Sequence, residues 1–343
     1  MLCNYMKFVV YFFYITNFFV FVNSFTQIYS PLTNKHILYN KPIEKSIFPN
    51  NPIYPSKIES IQKLIRVDNT LPTLLLCFSG GWISNPSFYS LLSTKTFIVS
   101  TLNTIGVMFT SMIVNDIFDL ELDKYNNPNR PLVTGEIKVK EAISYSFFML
   151  FVIELSSLLF LPLKIQNYLH LALLNILLYT PYLKKMTLLK NISCAWLVSF
   201  SIYFAGLSAT AGQMLPNIHL LTIASRLIFF GSLMNELLLD IRDRDGDEYH
   251  NIITVPVKYG NEKTWWLVFA VLATNVGWNS IEIVKYYGFA KSLLFSLLCS
   301  PFFINLYKIK KQHYSKPTIY YFLKETSKYL FFILIYLCSF VKK

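Results

Sequence analysis

Acidic side chains are scarce in this chain. Of its 343 residues only 19 are Asp or Glu, against 31 Lys or Arg, and charged residues of both signs make up 15%. An ordinary soluble domain carries about a quarter charged residues, so this shortage excludes a water-exposed globule. Cysteine is sparse as well. Cys3, Cys77, Cys194, Cys299 and Cys338 lie far apart, with no two-residue spacing to suggest a zinc or redox pair, and they read as packing residues. What replaces the missing polar residues is apolar, 54% hydrophobic and 17% aromatic, with positive mean hydropathy. The formal charge of +12 would suit nucleic acid, but no basic stripe is interleaved with a recognisable nucleic-acid module. The Lys and Arg residues sit in short loops between apolar runs, where membrane topology explains them, and no nucleic-acid partner is expected.

Nine apolar runs follow one another, at about 69–90, 94–115, 141–163, 166–183, 192–213, 217–239, 264–285, 287–306 and 326–341. Backbone groups in lipid must be satisfied within each segment, so the expected fold is an all-α integral membrane bundle of about nine transmembrane helices. Loops after the even-numbered runs carry most of the basic residues, among them Lys124, Arg130, Lys184, Lys185, Lys190, Arg242, Lys258 and Lys308. Those loops belong on the positive-inside face of a multi-pass protein, together with Lys57, Lys63 and Arg66 ahead of the first run.

Before the bundle, residues 1–25 contain a signal-like or anchor run from Phe8 to Val22, and the stretch from 26 to 58 is polar, hydroxyl-rich and holds Glu44 as its single acid through Lys57. That pairing has the form of a two-part organelle leader, with a plastid or another organelle membrane as destination, or of a plain tail behind an anchor. Residues 59–343 then form the membrane domain.

The few acids are not scattered. Asn115-Asp116-Ile-Phe-Asp119-Leu-Glu-Leu-Asp123 closes the second run, and Asn235-Glu236-Leu-Leu-Leu-Asp240-Ile-Arg242-Asp243-Arg244-Asp245-Gly246-Asp247 closes the sixth. Asp240, Asp243 and Asp247 repeat the offsets of Asp116, Asp119 and Asp123. Spacings of three and four put each trio on one helical face. Carboxylates at a membrane helix end are costly unless paired or metal-bound, and a divalent cation relieves their repulsion. Mg²⁺ takes one or two carboxylates and shares the rest of its shell with water and phosphate, so the two trios read as metal sites facing a diphosphate. The four-helix step between them suggests a duplicated unit. A solvated helix end is the plainer reading of either trio alone; the repetition argues against it.

The first stretch, continued by Asn126-Asn-Pro128-Asn-Arg130-Pro131-Leu-Val-Thr134-Gly135-Glu136, resembles the first aspartate-rich motif of the UbiA superfamily of intramembrane prenyltransferases, and the second stretch, through Thr254-Val-Pro256, resembles its second motif. Tyr179-Thr-Pro-Tyr182-Leu-Lys184-Lys185 is similar to the tyrosine-and-basic motif of that family. The resemblance spans about residues 60–341 and implies a Mg²⁺-dependent prenyltransferase that moves a polyprenyl group from a prenyl diphosphate donor to a lipophilic acceptor within membrane lipid. It implies metal roles for Asp119 and Asp123 with Asn115, and for Asp243 and Asp247, with Asp116 and Asp240 in the same sets. Asn115, Arg130, Lys184 and Lys185 are the expected diphosphate contacts, and Asp119, Asp123, Asp243, Asp247, Arg130 and Lys184 the expected catalytic set.

Competing readings fall on residues. A CDP-alcohol phosphotransferase would follow Asp-Gly with Ala-Arg, whereas Asp245-Gly246 is followed by Asp247-Glu248-Tyr249-His250. Soluble prenyl synthases are excluded by the nine runs, and a cation-coupled transporter would place its acids at mid-helix. The short link from Asp123 to Arg130 is similar to that of the ether-lipid, chlorophyll and prenylquinone branches. The leader tips the expectation to an aromatic prenylquinone or tocopherol-type acceptor, with chlorophyll or ether-lipid transfer, or terpene cyclisation, as alternatives. Glu154, His170, Asn175 and Arg226 stand inside apolar runs, each expected either to mark a site or to tie helices together.

Overall fold

The computed structural model describes residues 56–341, apart from Thr180, Pro181 and Met214 and the side chain of Lys185. The signal-like segment, almost all of the polar leader and the terminal Lys342 and Lys343 lie outside the described residues. The described part is all helix, without strands, and packs as one unit.

Helix α1 (Lys57–Ile65) opens with a capping box in which the Ser56 hydroxyl accepts from the Glu59 amide and the Glu59 carboxylate accepts from the Ser56 amide. It ends at Arg66, in the left-handed region at φ 51°. Then come α2 (Thr70–Ser84), α3 (Phe88–Ser93), α4 (Lys95–Phe118), α5 (Leu120–Asn126), α6 (Pro131–Thr134), α7 (Val139–Phe160), α8 (Leu163–Tyr179), α9 (Leu189–Ala209), α10 (Ile218–Tyr249), α11 (Val255–Tyr259), α12 (Asn261–Tyr287), α13 (Phe289–Lys311) and α14 (Lys316–Cys338).

Each of the nine apolar runs coincides with one long helix: α2, α4, α7, α8, α9, α10, α12, α13 and α14. Of these, α4, α7, α9, α10, α12 and α13 are long and apolar enough to cross a membrane. Helices α2 and α8, at 15 and 17 residues, fall short of a full crossing, and α14 carries Lys316, Lys324, Glu325 and Lys328 within its length. Among the described residues six of the nine helices thus have the length and apolarity of a full crossing, and three shorter or more polar helices complete the bundle.

Helix α9 is the centre of the bundle, and its sequence says why. Ser193, Ala195, Ser199, Ala205, Gly206 and Ala209 keep its surface thin, so neighbouring backbones come close. A side chain on Gly80 would run into the Ile202 carbonyl, which lets α2 lie directly on α9. On the other face, a Cβ at Gly206 would stand 2.7 Å from the Ser84 hydroxyl and 2.8 Å from Leu221 of α10. By contrast α7 turns most of its length outward, with Phe148, Phe151, Leu155 and Leu159 exposed, as a lipid-facing helix does.

Polar residues inside the runs prove to be ties between helices. Arg226 of α10 donates to both carboxylate oxygens of Glu282 at 3.0 and 2.7 Å and to the Asn279 amide oxygen on α12. It also lies 4.6 Å from the Trp278 ring centroid. His170 of α8 faces Glu154 of α7 at 3.1 Å, and the Ser193 hydroxyl of α9 donates to Asn175 of α8 at 2.9 Å. Of these residues Asn175 alone also lines the main cavity.

Candidate active site

Helix α4 ends at Phe118 and α5 begins at Leu120, with Asp119 as the joint, at φ −90° and ψ 5°. The ladder is carried across the joint, since the Asp119 amide donates to the Asn115 carbonyl at 2.9 Å and the Asp123 amide to the Asp119 carbonyl at 2.7 Å. The trio keeps to one side, since a single Arg130 nitrogen reaches both Asp116 and Asp123, but its members differ in what they face. Asp119 and Asp123 line a cavity of about 540 Å³ together with Asn115, whereas Asp116 does not line it. Asp116 is 2% exposed and holds two guanidinium groups, Arg66 and Arg130, each 2.8 Å from the same carboxylate oxygen.

The second trio differs in placement. Helix α10 runs past the apolar stretch to Tyr249, as the helical spacing of the trio anticipates, so Asp240, Asp243 and Asp247 lie within its last turns and all line the same cavity. Offsets of three and seven keep them on one stripe. A helix can run on past its apolar segment here because its polar face looks into the cavity.

Basic residues from four separate segments converge on these acids. Lys184, in the turn Leu183–Lys185, is ion-paired with Asp119 and donates to Asn115 at 3.2 Å. Arg130 joins Asp116 to Asp123, whose other oxygen accepts from Asn127 at 3.0 Å. Lys190 and Asn191 of α9 donate to the two oxygens of Asp240, at 2.7 and 2.9 Å. Arg242 forms a two-pronged pair with Asp243 beside it, at 2.8 and 2.7 Å. Burial pushes the Asp123 carboxyl above its ordinary value, with the Arg130 charge and the Asn127 hydrogen bond opposing. Lys185 belongs to the same turn as Lys184, and its side chain lies outside the described residues.

Reading the residues alone placed Arg66, Lys190 and Arg242 among topological charges. Arg66 stands 50 positions from Asp116, and Lys190 also 50 from Asp240, so no local spacing announces either contact. Glu236 was visible inside the second motif but carried no role; it too lines the cavity.

Away from this polar end the wall is apolar: Val107, Met108, Met112, Leu169, Ile176, Leu197, Val198, Phe200 and Phe204. One chamber thus joins a carboxylate-and-cation mouth to a hydrocarbon-lined interior, a shape suited to an amphiphile with an anionic head. The donor set at the mouth is oxygen throughout, from Asn115, Asp119, Asp123, Asp240, Asp243 and Asp247, and among the described residues no histidine lines the cavity. That chemistry fits a hard cation such as Mg²⁺. Among the described residues no three acids stand close enough to form a ready-made cluster, so a cation would bring its own partners from water and substrate, as Mg²⁺ usually does.

The sequence profile of the UbiA prenyltransferase family matches residues 73–333, the stretch that builds this chamber. The chain belongs to that family. It is similar to the digeranylgeranylglyceryl phosphate synthase of Methanocaldococcus jannaschii, 27% identical over 297 residues, 84% of this chain and 97% of that protein. A second relative of the same description, from Sulfolobus acidocaldarius, is 32% identical over 218 residues, 63% of this chain and 74% of that protein. Among solved structures, a UbiA homologue from Archaeoglobus fulgidus bound to DMAPP and Mg²⁺ superposes with a TM-score of 0.61 at 20% identity, covering 82% of this chain and 99% of that one. A structure described as digeranylgeranylglyceryl phosphate synthase in membranes gives 0.60 at 24% identity, over 83% and 98%. The protein is accordingly an integral membrane prenyltransferase of the UbiA fold.

Proposed function

We propose that this enzyme transfers a geranylgeranyl-type chain from its diphosphate to the hydroxyl of a glyceryl phosphate that already bears one such chain. Two acidic segments lining one cavity whose far wall is hydrocarbon is the observation that carries the donor half of this reading. The acceptor half rests on the relatives, which are described as digeranylgeranylglyceryl phosphate synthases. They favour the ether-lipid alternative over the aromatic head group expected from the sequence. They are also archaeal, and lend no support to a plastid address. Residues 59–343 would form the catalytic unit.

Asp119 and Asp123 with Asn115, and Asp243 and Asp247 opposite, would hold Mg²⁺, which when bound neutralises the diphosphate and makes it a better leaving group. Lys184 and Arg130 lie beside these carboxylates and would turn from them to phosphate oxygens, Arg130 with a two-pronged grip and Lys184 as a point charge. Asp116, buried between Arg66 and Arg130, keeps both guanidinium groups at the mouth, and Lys190 with Asn191 does the same for Asp240. Phe200, Phe204 and the aliphatic wall solvate the chain and keep water from an allylic cation, aromatic faces adding some stabilisation.

Purified protein would be incubated with Mg²⁺, radiolabelled geranylgeranyl diphosphate and either geranylgeranylglyceryl phosphate or a panel of aromatic acceptors. The expected product is the doubly prenylated glyceryl phosphate. Labelled aromatic product alone would overturn the acceptor reading, and cyclised hydrocarbon formed without acceptor would overturn transfer itself.

A further inference from the structure

An alcohol that attacks an allylic carbon must give up its proton, and a chamber whose inner wall is largely hydrocarbon leaves few groups to take it. Six carboxylates line the cavity: Asp119, Asp123, Glu236, Asp240, Asp243 and Asp247. Four are already paired with cations, Asp119 with Lys184, Asp123 with Arg130, Asp240 with Lys190 and Asp243 with Arg242. Glu236 and Asp247 have no ion pair among the described residues, and they stand at opposite ends of the stripe. Asp247 is at the mouth; of the residues that α10 contributes to the wall, Glu236 lies farthest along the helix from it. Eleven residues separate them, about 16 Å along a helix at ~1.5 Å per residue.

Glu236 therefore sits where the polar mouth gives way to hydrocarbon. Tyr179 of α8 and Cys194 of α9 line the cavity beside it, and Asp240 is one turn toward the mouth. The charges that face it are those of Lys190, Arg66, Arg242 and Asp240, none within ion-pairing distance. A donor whose diphosphate is held at the mouth and whose chain runs into the apolar interior presents its first carbon at this border.

We infer that Glu236 is the general base that accepts the proton of the acceptor hydroxyl. This rests on the hydroxyl-acceptor reading given above. In the step, the hydroxyl oxygen forms a bond to the allylic carbon and the bond from that carbon to the diphosphate oxygen breaks, the electron pair leaving on the diphosphate. The hydroxyl proton passes to the Glu236 carboxylate and then to the released diphosphate or to water at the mouth. A merely structural glutamate would instead be satisfied by a fixed donor, as Asp240 is by Lys190 and Asn191.

The test compares wild type with Glu236→Gln, which keeps shape and hydrogen bonding but cannot take the proton. Binding of geranylgeranyl diphosphate with Mg²⁺ should be unchanged while kcat falls about 100-fold, the usual scale of a lost general base. Glu236→Asp should recover part of the rate. An acceptor analogue whose hydroxyl is acidified by neighbouring fluorine should restore the Gln variant at least tenfold relative to wild type on the same analogue, since less help is then needed to remove the proton. A kcat within threefold of wild type overturns the assignment, as does an equal loss on both acceptors or a loss of donor binding. Failure of the acceptor reading shows separately, in wild-type protein that transfers nothing to a glyceryl hydroxyl.

Discussion

The side-chain amide of Asn126, at the end of α5, occupies the space that a Cβ on Gly246 of α10 would need. The contact continues through Tyr125, one position before Asn126, and Tyr249, three beyond Gly246. Tyr125 stacks on Tyr249 with ring centroids 5.4 Å apart and planes 13° from parallel, and His250 meets both rings edge-on. The ends of the two acidic segments are thereby clasped across the mouth of the cavity. Gly246→Ala is expected to lower prenyl transfer by pushing the segments apart. Because the obstacle is a flexible amide, the Ala variant should be mild, and Gly246→Val should lose tenfold or more. Combining Gly246→Ala with Asn126→Ala should recover much of the loss. A double-mutant cycle on kcat/KM checks this, and a coupling near zero would mean the contact is idle.

Asp119→Ala and Asp243→Ala, one from each side of the mouth, should each lower transfer at least 100-fold while the protein still inserts and purifies normally. The magnitude is that of removing one preorganised charge contact from a developing anion. Transfer assays on membranes carrying each variant check it; full activity in either breaks the paired-segment mechanism.

Stripping divalent cations with a chelator should stop turnover, and adding back Mg²⁺ should restore it. Undiminished turnover under chelation would contradict the oxygen-ligand reading of the mouth.

Asp116 is 2% exposed and does not line the cavity, so its loss should register in stability first. Asp116→Ala would strip Arg66 of its carboxylate and leave Arg130 with Asp123 alone, a cost of about 3 kcal/mol by analogy with broken buried pairs. Thermal unfolding in detergent measures it. An unchanged melting temperature would mean that the two guanidinium groups find other partners.

The Arg226 network on the α10–α12 seam makes a contrasting case. Arg226→Leu should destabilise the protein, and the double variant with Glu282→Leu should be less damaged than the single, because removing both charges leaves neither one stranded. Unfolding of the three proteins gives the comparison.

Much of the bundle was legible in the residues. Every apolar run became a helix, because backbone groups in lipid have no other partner within a single segment. Apolar character alone marks helix ends less well: the sixth run ends at Leu239, yet α10 continues to Tyr249, as the helical spacing of Asp240, Asp243 and Asp247 anticipates. At the site, Asp119, Asp123, Asp243, Asp247, Arg130 and Lys184 were visible because their spacing repeats or matches a motif. Arg66, Lys190 and Glu236 were not, since their meaning depends on what faces them.

Composition and periodicity by themselves determined that this is a membrane bundle with two acidic segments, for both properties are set by the solvent around each helix and by spacing along it. The tertiary structure decided which acids share a chamber, that Asp116 serves two arginines outside its wall, and that Glu236 lies within it unpaired. Those outcomes depend on contacts between residues dozens of positions apart, made possible by the thin surface of α9, and no local pattern encodes them.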